Sequence, residues 1–450
     1  MGQSKPRSEK GIALPSPSGR RKAITARRRI VLLLLAACLL AAFQTGSAVF
    51  YSVAYLWAGV LASSWLWVRL GLRGLILRRE LRSPESRVGL ILEERLTLEN
   101  HSRWPHFWVE LWDESTLPDH RASAVIAGLG SRRSRQWVVR TLCRRRGRFR
   151  LGPLTARVVD PFGLFQADLG FPKTSEFLVQ PYLVNLPAVF LGPSQLPGGT
   201  AVQRKTSVVT PSAAGVREYA PGDSLSRIHW PSTARRGRLI SKEFELDPKS
   251  EVWIYLDEHR EAHVSFPETA EPDDQGPPFW LKRRRFRLPG TTEEYAIAAA
   301  ASLAQYFLRR DRSVGLLTYG PEREAIQPDR GERQRMRIMQ VLSSVRAESP
   351  LAAAEVIRLE TDIFPRGAAI LLISPSGDPK ISWAAQVLRS RGLEVYAILV
   401  ERSTFGATDD VQRLARQLQA LRVDVRILRR NQDLAVGLMG REVPRFLPAS

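Results

Sequence analysis

Two apolar runs near the start of the chain, residues 30–43 and 48–68, constrain the fold more than any later stretch. The first covers roughly 21 Å as a helix, short of a hydrocarbon core about 30 Å thick. Joined to the second through Gln44-Thr45-Gly46-Ser47, it makes enough chain for two tightly linked transmembrane helices over residues 30–68. Arginines bracket the pair: Arg27-Arg28-Arg29 before it, and Arg69, Arg73, Arg78 and Arg79 after it. Residues 1–29 carry nine Lys or Arg against one Glu, and residues 69–87 carry six Arg against two Glu. About half of the formal charge of +22 therefore borders apolar sequence, a membrane distribution first. The positive-inside rule keeps both outer ends in the cytoplasm, so the plasma membrane is the expected location, with the main body cytoplasmic. Trp57, Trp65 and Trp67 supply interfacial anchors. A signal peptide cut near Gly46-Ser47-Ala48 is the rival reading, but its basic leader would be long and a second apolar run comes at once. Residues 1–29, rich in Pro, Ser, Gly and basic side chains, read as a disordered tail.

Beyond the apolar pair the chain has room for two or three domains. Residues 88–190 read as a small β-sandwich module, fibronectin-like or immunoglobulin-like. Short alternating runs at 92–98, 106–112 and 136–142 are separated by turn material such as Asn100-His101-Ser102 and Gly128-Leu129-Gly130. Within it, residues 144–153 read as strand, glycine turn and strand, with alternate arginines on one face, and Asp160-Pro161-Phe162-Gly163 as a rigid turn. Residues 191–214, rich in Gly, Pro, Ser and Thr, form a linker. From 250 to 440, strand-like and helix-like segments alternate, which predicts an open, doubly wound α/β domain with a mainly parallel sheet. Residues 261–288 are a surface insertion between its first strand and first helix. The only cysteines, Cys38 and Cys143, offer no disulfide framework and suit a reducing compartment.

Between these modules lies the densest stretch of the chain, residues 215–245. Ala220-Pro221-Gly222-Asp223 makes a tight turn, flanked by Gly215, Arg217 and Tyr219 before it and by Arg227, His229 and Trp230 after it. Pro231 rules out one long helix and leaves a short helical piece holding Ala234 and Arg235, then a second turn at Gly237 and a strand. So many Arg, Trp, Tyr and His residues together make a structured platform rather than a plain loop. Its arginines serve either as a binding site or as a clasp, Arg217, Arg227 and Arg235 pairing with Glu218 and Asp223.

This stretch resembles the signature of the family filed as domain of unknown function 58 (DUF58). Arg146-Gly147 and Asp160-Pro161-Phe162-Gly163 are similar to that family's secondary motif, so the resemblance runs from the apolar pair onward. It implies a von Willebrand factor type A-like C-terminal half and a partnership with MoxR-type AAA+ ATPases. Such domains hold a divalent ion on a first-strand Asp, alternate serines and residues from later loops, a hard oxygen set suited to Mg²⁺. Here Asp257 is followed by Glu258-His259-Arg260-Glu261, and the third loop offers Ser374 and Ser376 with Asp378 displaced. Asp257 and Ser374 remain as degenerate metal candidates, and no cofactor is expected.

Enzyme signatures are absent: there is no Gly-Lys-Ser phosphate loop, nucleophile elbow or zinc-spaced Cys/His set. Asp223 and His229 would be the core of a degenerate hydrolase, although their spacing orders no catalytic set. Cys143 beside Arg144-Arg145-Arg146 has either a lowered thiol pKa or an inward-pointing side chain. Phosphate contacts from the arginines are conceivable, but no base-stacking platform accompanies them, so nucleic acid is disfavoured, as is a small-molecule substrate. The expectation is a membrane-held adaptor or assembly factor, partnered by the lipid bilayer and an AAA+ ATPase or another protein.

Overall fold

The computed structural model describes residues 17–187, 213–218, 228–244, 251–266, 286–408 and 411–440. The chain divides into two compact units, Met1–Val179 and Gln180–Ser450.

The first unit opens with helices α1 (Pro17–Thr45) and α2 (Ala48–Leu70), which turn on each other at Gly46, φ +63°. Residues 17–29, expected without structure, instead continue α1. Ala, Ile and Arg are all competent helix formers, and an apolar segment already nucleated at its other end extends through them at little cost. Among the described residues only α2 is long and apolar enough to cross a membrane. The basic residues of α1 leave it a shorter apolar portion.

Ten strands come next: β1 (Leu75–Leu81), β2 (Glu85–Arg87), β3 (Ile91–Asn100), β4 (His106–Asp113), β5 (Ala124–Leu129), β6 (Ser134–Leu142), β7 (Gly147–Leu151), β8 (Leu154–Val159), β9 (Gln166–Phe171) and β10 (Ser175–Gln180). They form sheets ordered β1-β3-β6, β5-β4-β8-β9 and β2-β10-β7. Leu75 and Leu98 of the first sheet share one core with Val109, Leu111, Ile126, Ala156 and Val158 of the second, so the two lie face to face. Strand structure thus begins in the arginine-rich segment after α2. There, alternation hides Leu75 while leaving Ile76 open, a period of two masked by the charges. Arg144, Arg145 and Arg146 lie in the connection before β7, and the turn to β8 falls at Gly152-Pro153. Arg148 and Arg150 do face outward together, while Leu151 is buried.

In the second unit β11 (Ala213–Glu218), α3 (Trp230–Arg236) and β12 (Ile240–Phe244) make a small hairpin with an inserted helix. The main body comprises β13 (Val252–Leu256), α4 (Thr292–Leu308), β14 (Val314–Tyr319), β15 (Arg323–Asp329), α5 (Gly331–Ser344), α6 (Ala353–Leu359), β16 (Ala369–Ser374), α7 (Lys380–Ser390), β17 (Glu394–Val400), α8 (Val411–Ala420), β18 (Asp424–Leu428) and α9 (Leu434–Met439). Its sheet runs β15-β14-β13-β16-β17-β18, with β15 antiparallel and the other five parallel. Val252, Ile254 and Leu256 face one apolar layer with α4, α5 and α9, and Trp253 and Tyr255 face the other with α6, α7 and α8. Both faces being covered explains why these strands read as unbroken apolar runs. Residues 182–186 also join this unit: Tyr182, Leu183 and Val184 pack on its core, and the Val184 amide donates to Ser302 Oγ at 3.1 Å.

Candidate functional site at the switch point of the six-stranded sheet

Strands β13 and β16 are neighbours from which the chain departs in opposite directions, to β14 and β15 on one side and to β17 and β18 on the other. Such a reversal at the carboxyl ends of the strands is where open α/β sheets bind ligands. Asp257 follows β13 and Ser374 ends β16, and the structure brings the two together. The Ser374 hydroxyl donates to Asp257 Oδ2 at 2.6 Å in a buried contact, and the His259 amide donates to Oδ1 at 3.1 Å. Burial pushes the Asp257 carboxyl above its usual range, with the Ser374 hydrogen bond acting the other way.

The loop after β13 is tied down on both sides. The Ser349 amide donates to the Glu258 carbonyl and the Arg260 amide to the Ser349 carbonyl, both at 3.1 Å. At the start of α4 the Val264 amide donates to Thr292 Oγ1 at 2.9 Å, and the Thr292 amide donates back to the Val264 carbonyl at 3.0 Å. Thr291, the cap of α4, accepts the Glu294 amide at 3.3 Å. His263 sits beneath this loop. Its Nε2 donates to the Asp257 carbonyl oxygen at 2.9 Å and lies 3.6 Å from the buried Glu258 carboxylate.

Further polar groups order the loop that follows β16. The Ser374 hydroxyl accepts the Ser376 amide at 2.9 Å, and Ser376 Oγ accepts the Asp378 amide at 3.1 Å, so these serines order their own loop. Asp378 in turn accepts the Lys380 amide at the start of α7. Among the described residues no group of three or more His, Cys, Asp or Glu is placed to hold a metal. Asp257, Ser374, Ser376 and Asp378 supply two carboxylates on separate loops, with both oxygens of Asp257 already accepting protein hydrogen bonds. Chemically, the arrangement fixes the shape of a strand-end rim.

His263 carries a pH dependence. Burial pushes its imidazole below the ordinary value of 6.5, despite the Asp257 carbonyl, which favours the charged ring. Above that value both folded and unfolded chains hold it neutral. As pH falls, the unfolded chain binds the proton first, so stability drops through 6.5 and down to the folded value. His263→Gln should flatten this part of the acid sensitivity. The measurement is the difference between wild-type and variant unfolding midpoints from about pH 7 to about pH 5. Parallel curves would refute the assignment.

In the signature stretch, Tyr219, Pro221, Gly222, Asp223 and Arg227 lie outside the described residues, and so does the clasp expected between them and Arg217 and Arg235. Gly215 and Arg217 are on β11, opposite Glu243 and Ser241 of β12. His229 caps α3: its Nδ1 accepts the Ser232 amide at 3.3 Å and meets Ser232 Oγ at 2.7 Å, while its own amide donates to the Ile240 carbonyl at 2.8 Å. The ring is thus occupied as a helix cap. Trp230 is exposed at the first turn, Ala234 and Arg235 are exposed on the helix, and Gly237 ends it in the left-handed conformation, φ +67°.

The secondary motif forms a tight cage. Buried Asp160 accepts the amides of Leu164 at 2.8 Å, Phe165 at 2.6 Å and Phe162 at 3.0 Å, and Gly163 takes φ +66°. A Cβ on Gly163 would lie 2.9 Å from Arg27 Nη1 of α1, while Arg28 lies over the Phe165 ring at 5.8 Å. The motif is thus built against the base of the helical hairpin. Cys143 is fully buried, and burial raises its thiol pKa, so the lowered value considered from its arginine neighbours does not arise.

Sequence reasoning reached Asp257 and Ser374 and missed Glu258, His263, Thr292 and Ser349 as parts of the same site. Those residues come from segments up to about ninety positions apart and share no motif. His263, inside a stretch with the composition of a surface insertion, had no signal beyond its proximity to the strand end.

Fold and site together define a multidomain chain, with an N-terminal apolar helix pair, a body of antiparallel sheets and a doubly wound α/β unit. Residues 215–267 match the family model described as "Protein of unknown function DUF58". The chain is also similar to the Uncharacterized protein YeaD of Bacillus subtilis, 30% identical over 118 residues, covering 25% of this chain and 28% of that protein. Both support the DUF58 family, and the alignment spans little more than a quarter of the relative's length. Among solved structures, the CARDB domain of a Pyrococcus furiosus protein aligns at 12% identity and TM-score 0.18, covering 23% of this chain and 91% of that one. A GH20 exo beta-N-acetylglucosaminidase from Vibrio harveyi aligns at 8% identity and TM-score 0.18, over 79% and 81% of the two chains. Scores this low carry no shared fold.

Proposed function

We propose that this chain is a membrane-anchored, cytosol-facing adaptor or assembly factor that works with a MoxR-type AAA+ ATPase and performs no chemistry of its own. The observation that carries the reading is the anchored loop cluster at the switch-point strand ends. Its central carboxylate and hydroxyl bond to each other, and its loops are tied to α4 and to Ser349. These buried groups hold the exposed loop residues Arg260 and Glu261 in place as a rigid docking surface, since little ordering entropy remains to be lost on binding. The sheet order, with an antiparallel third strand, supports a von Willebrand A-like description of the second unit. The apolar α2 and the arginines on either side of the hairpin support the anchor and its cytoplasmic orientation.

The test uses the full chain in lipid nanodiscs and a purified MoxR-type ATPase from the same genome. Binding by the wild type is expected, weakened about tenfold or more in an Arg217→Ala, Asp223→Ala, Arg227→Ala variant that keeps its unfolding temperature. No binding by the folded wild type would remove the reading's main support. A variant that unfolds makes the platform a structural clasp and moves the search to the exposed loop after β13.

A further inference from the structure

Where α2 leaves its apolar segment, the first unit presents exposed aromatic residues that its own core does not use. Along β4, alternate residues Phe107, Val109 and Leu111 face the sandwich core, but only the last two are buried. Phe107 is 56% exposed and continues the row outward to stack on Trp67 of α2, centroids 5.1 Å apart and planes at 23°. On the opposite face of α2 from Trp67, Arg69 lies over the Trp65 ring at 5.4 Å. Trp104, in the loop between β3 and β4, is 59% exposed.

That loop is built rather than slack. Asn100 Nδ2 donates to the carbonyls of Trp104 at 2.8 Å and Gly130 at 2.9 Å, and its Oδ1 accepts the Ser102 amide at 2.9 Å. The His101 amide donates to the Gly74 carbonyl at 2.7 Å, tying the loop to the exit of α2. At Gly74 itself φ is +70°, and a Cβ would stand 2.8 Å from the Ser102 amide nitrogen. The neighbouring β5–β6 turn is held beside it through the Arg132 amide, which donates to the Ser102 carbonyl at 3.3 Å. Arg103, Arg132 and Arg133 are all exposed on these two turns. Holding a large, open Trp on a fixed loop costs solvation, and nothing in the sandwich core offsets it.

We propose that this surface, Trp104 and Phe107 with the exposed Arg103, Arg132 and Arg133 of the adjoining turns, seats in the headgroup layer of an anionic phospholipid leaflet, the one from which α2 emerges. The occupant follows from continuity with α2 and from chemistry. Trp and Phe partition to the interface, and arginines beside them pair with phosphate. Helix geometry agrees. From the turn at Gly46 to Trp67 the rise is about 32 Å, close to one hydrocarbon thickness, so Trp67 and its stacked partner Phe107 fall at the boundary. The inference rests on the membrane reading of α2 and adds a second, extramembranous lipid contact that orients the sandwich on the bilayer.

The full chain, reconstituted in phosphatidylcholine–phosphatidylglycerol vesicles, would carry a photoreactive benzoyl-phenylalanine at Trp104, Phe107, Leu56 or Leu90. Leu56 is exposed midway along α2, and Leu90 is exposed at the opposite end of β3 from the Trp104 loop. Trp104 and Phe107 should form lipid adducts roughly fivefold or more above Leu90, the factor that a single arginine contributes near an anionic leaflet. The Trp104 adduct should fall by at least that factor in an Arg103→Ala, Arg132→Ala, Arg133→Ala variant, which removes three such arginines. Labelling at Leu56 with Trp104 and Phe107 no higher than Leu90 overturns this inference and leaves the anchor standing. Absence of labelling at Leu56 overturns both.

Discussion

Arg79→Met is expected to destabilise the first unit by about 3–5 kcal/mol, the cost of leaving buried charge without its partner. Arg79 is 7% exposed; its Nη2 donates to Asp113 Oδ1 at 2.9 Å, and its Nε lies 3.1 Å from Glu94 Oε2. Those carboxylates are 2% and 0% exposed, and water cannot replace the guanidinium. His120 closes the group, its Nε2 at 3.3 Å from Glu94 and 3.4 Å from Asp113, with Nδ1 at 2.8 Å from Thr141 Oγ1. Asp113 also accepts the Ser115 hydroxyl, and Ser115 Oγ in turn accepts the Gly152 amide, so the network stitches β1, β3 and β4 to the β7–β8 turn. Replacing all four charged or titratable members by apolar residues of similar volume should cost less than the single change, because no buried charge is then stranded. Urea unfolding of the full chain, followed by a probe in the first unit, decides the matter. A loss below about 1 kcal/mol for Arg79→Met would mean that water reaches the carboxylates.

Trp253→Ala should cost a comparable amount, about 3–5 kcal/mol, in the second unit. Trp253 lies on the central strand β13, is fully buried, and meets Phe364 edge-to-face at 5.3 Å. Across the strand pair stands Gly315, where a Cβ would come within 2.9 Å of the indole, so a small residue and a large one share one space. Removing the indole opens a cavity that neighbours fixed in parallel strands cannot fill. The loop at the end of β13 should then loosen as well, and proteolysis or amide exchange at residues 257–266 would report it. Unchanged exchange there alongside lowered global stability would show that the loop is held by α4 and Ser349 alone.

Much of this architecture was legible from local pattern. The apolar runs 30–43 and 48–68 read as helices, and both fall inside α1 and α2. The unbroken apolar strands at β13, β14, β16 and β17 announced a sheet covered on both faces. Strand β15 was missed because Arg-Glu-Ala-Ile-Gln-Pro-Asp carries no period of two, as suits an edge strand whose burial is intermediate at best. The start of the sandwich was missed for a related reason. Arg78, Arg79 and Glu80 read as juxtamembrane charge, yet Arg79 points inward to two carboxylates that lie far along the chain.

At the candidate site the division is sharper. Local chemistry was enough to mark Asp257 at a strand end, a short helix after Pro231 with its stop at Gly237, and the rigid turn at Asp160. Each depends on neighbours within a few residues: the end of an apolar run, a missing amide, a left-handed glycine or an aspartate reaching its own amides. Tertiary contact alone could show that Ser374 donates to Asp257, that His263 lies under the same loop, and that Trp104 is fixed beside the exit of α2. Those pairings come from strand order and loop closure across the fold. Residues distant in sequence meet there because parallel strands align their carboxyl ends, and no local pattern encodes which ends become neighbours.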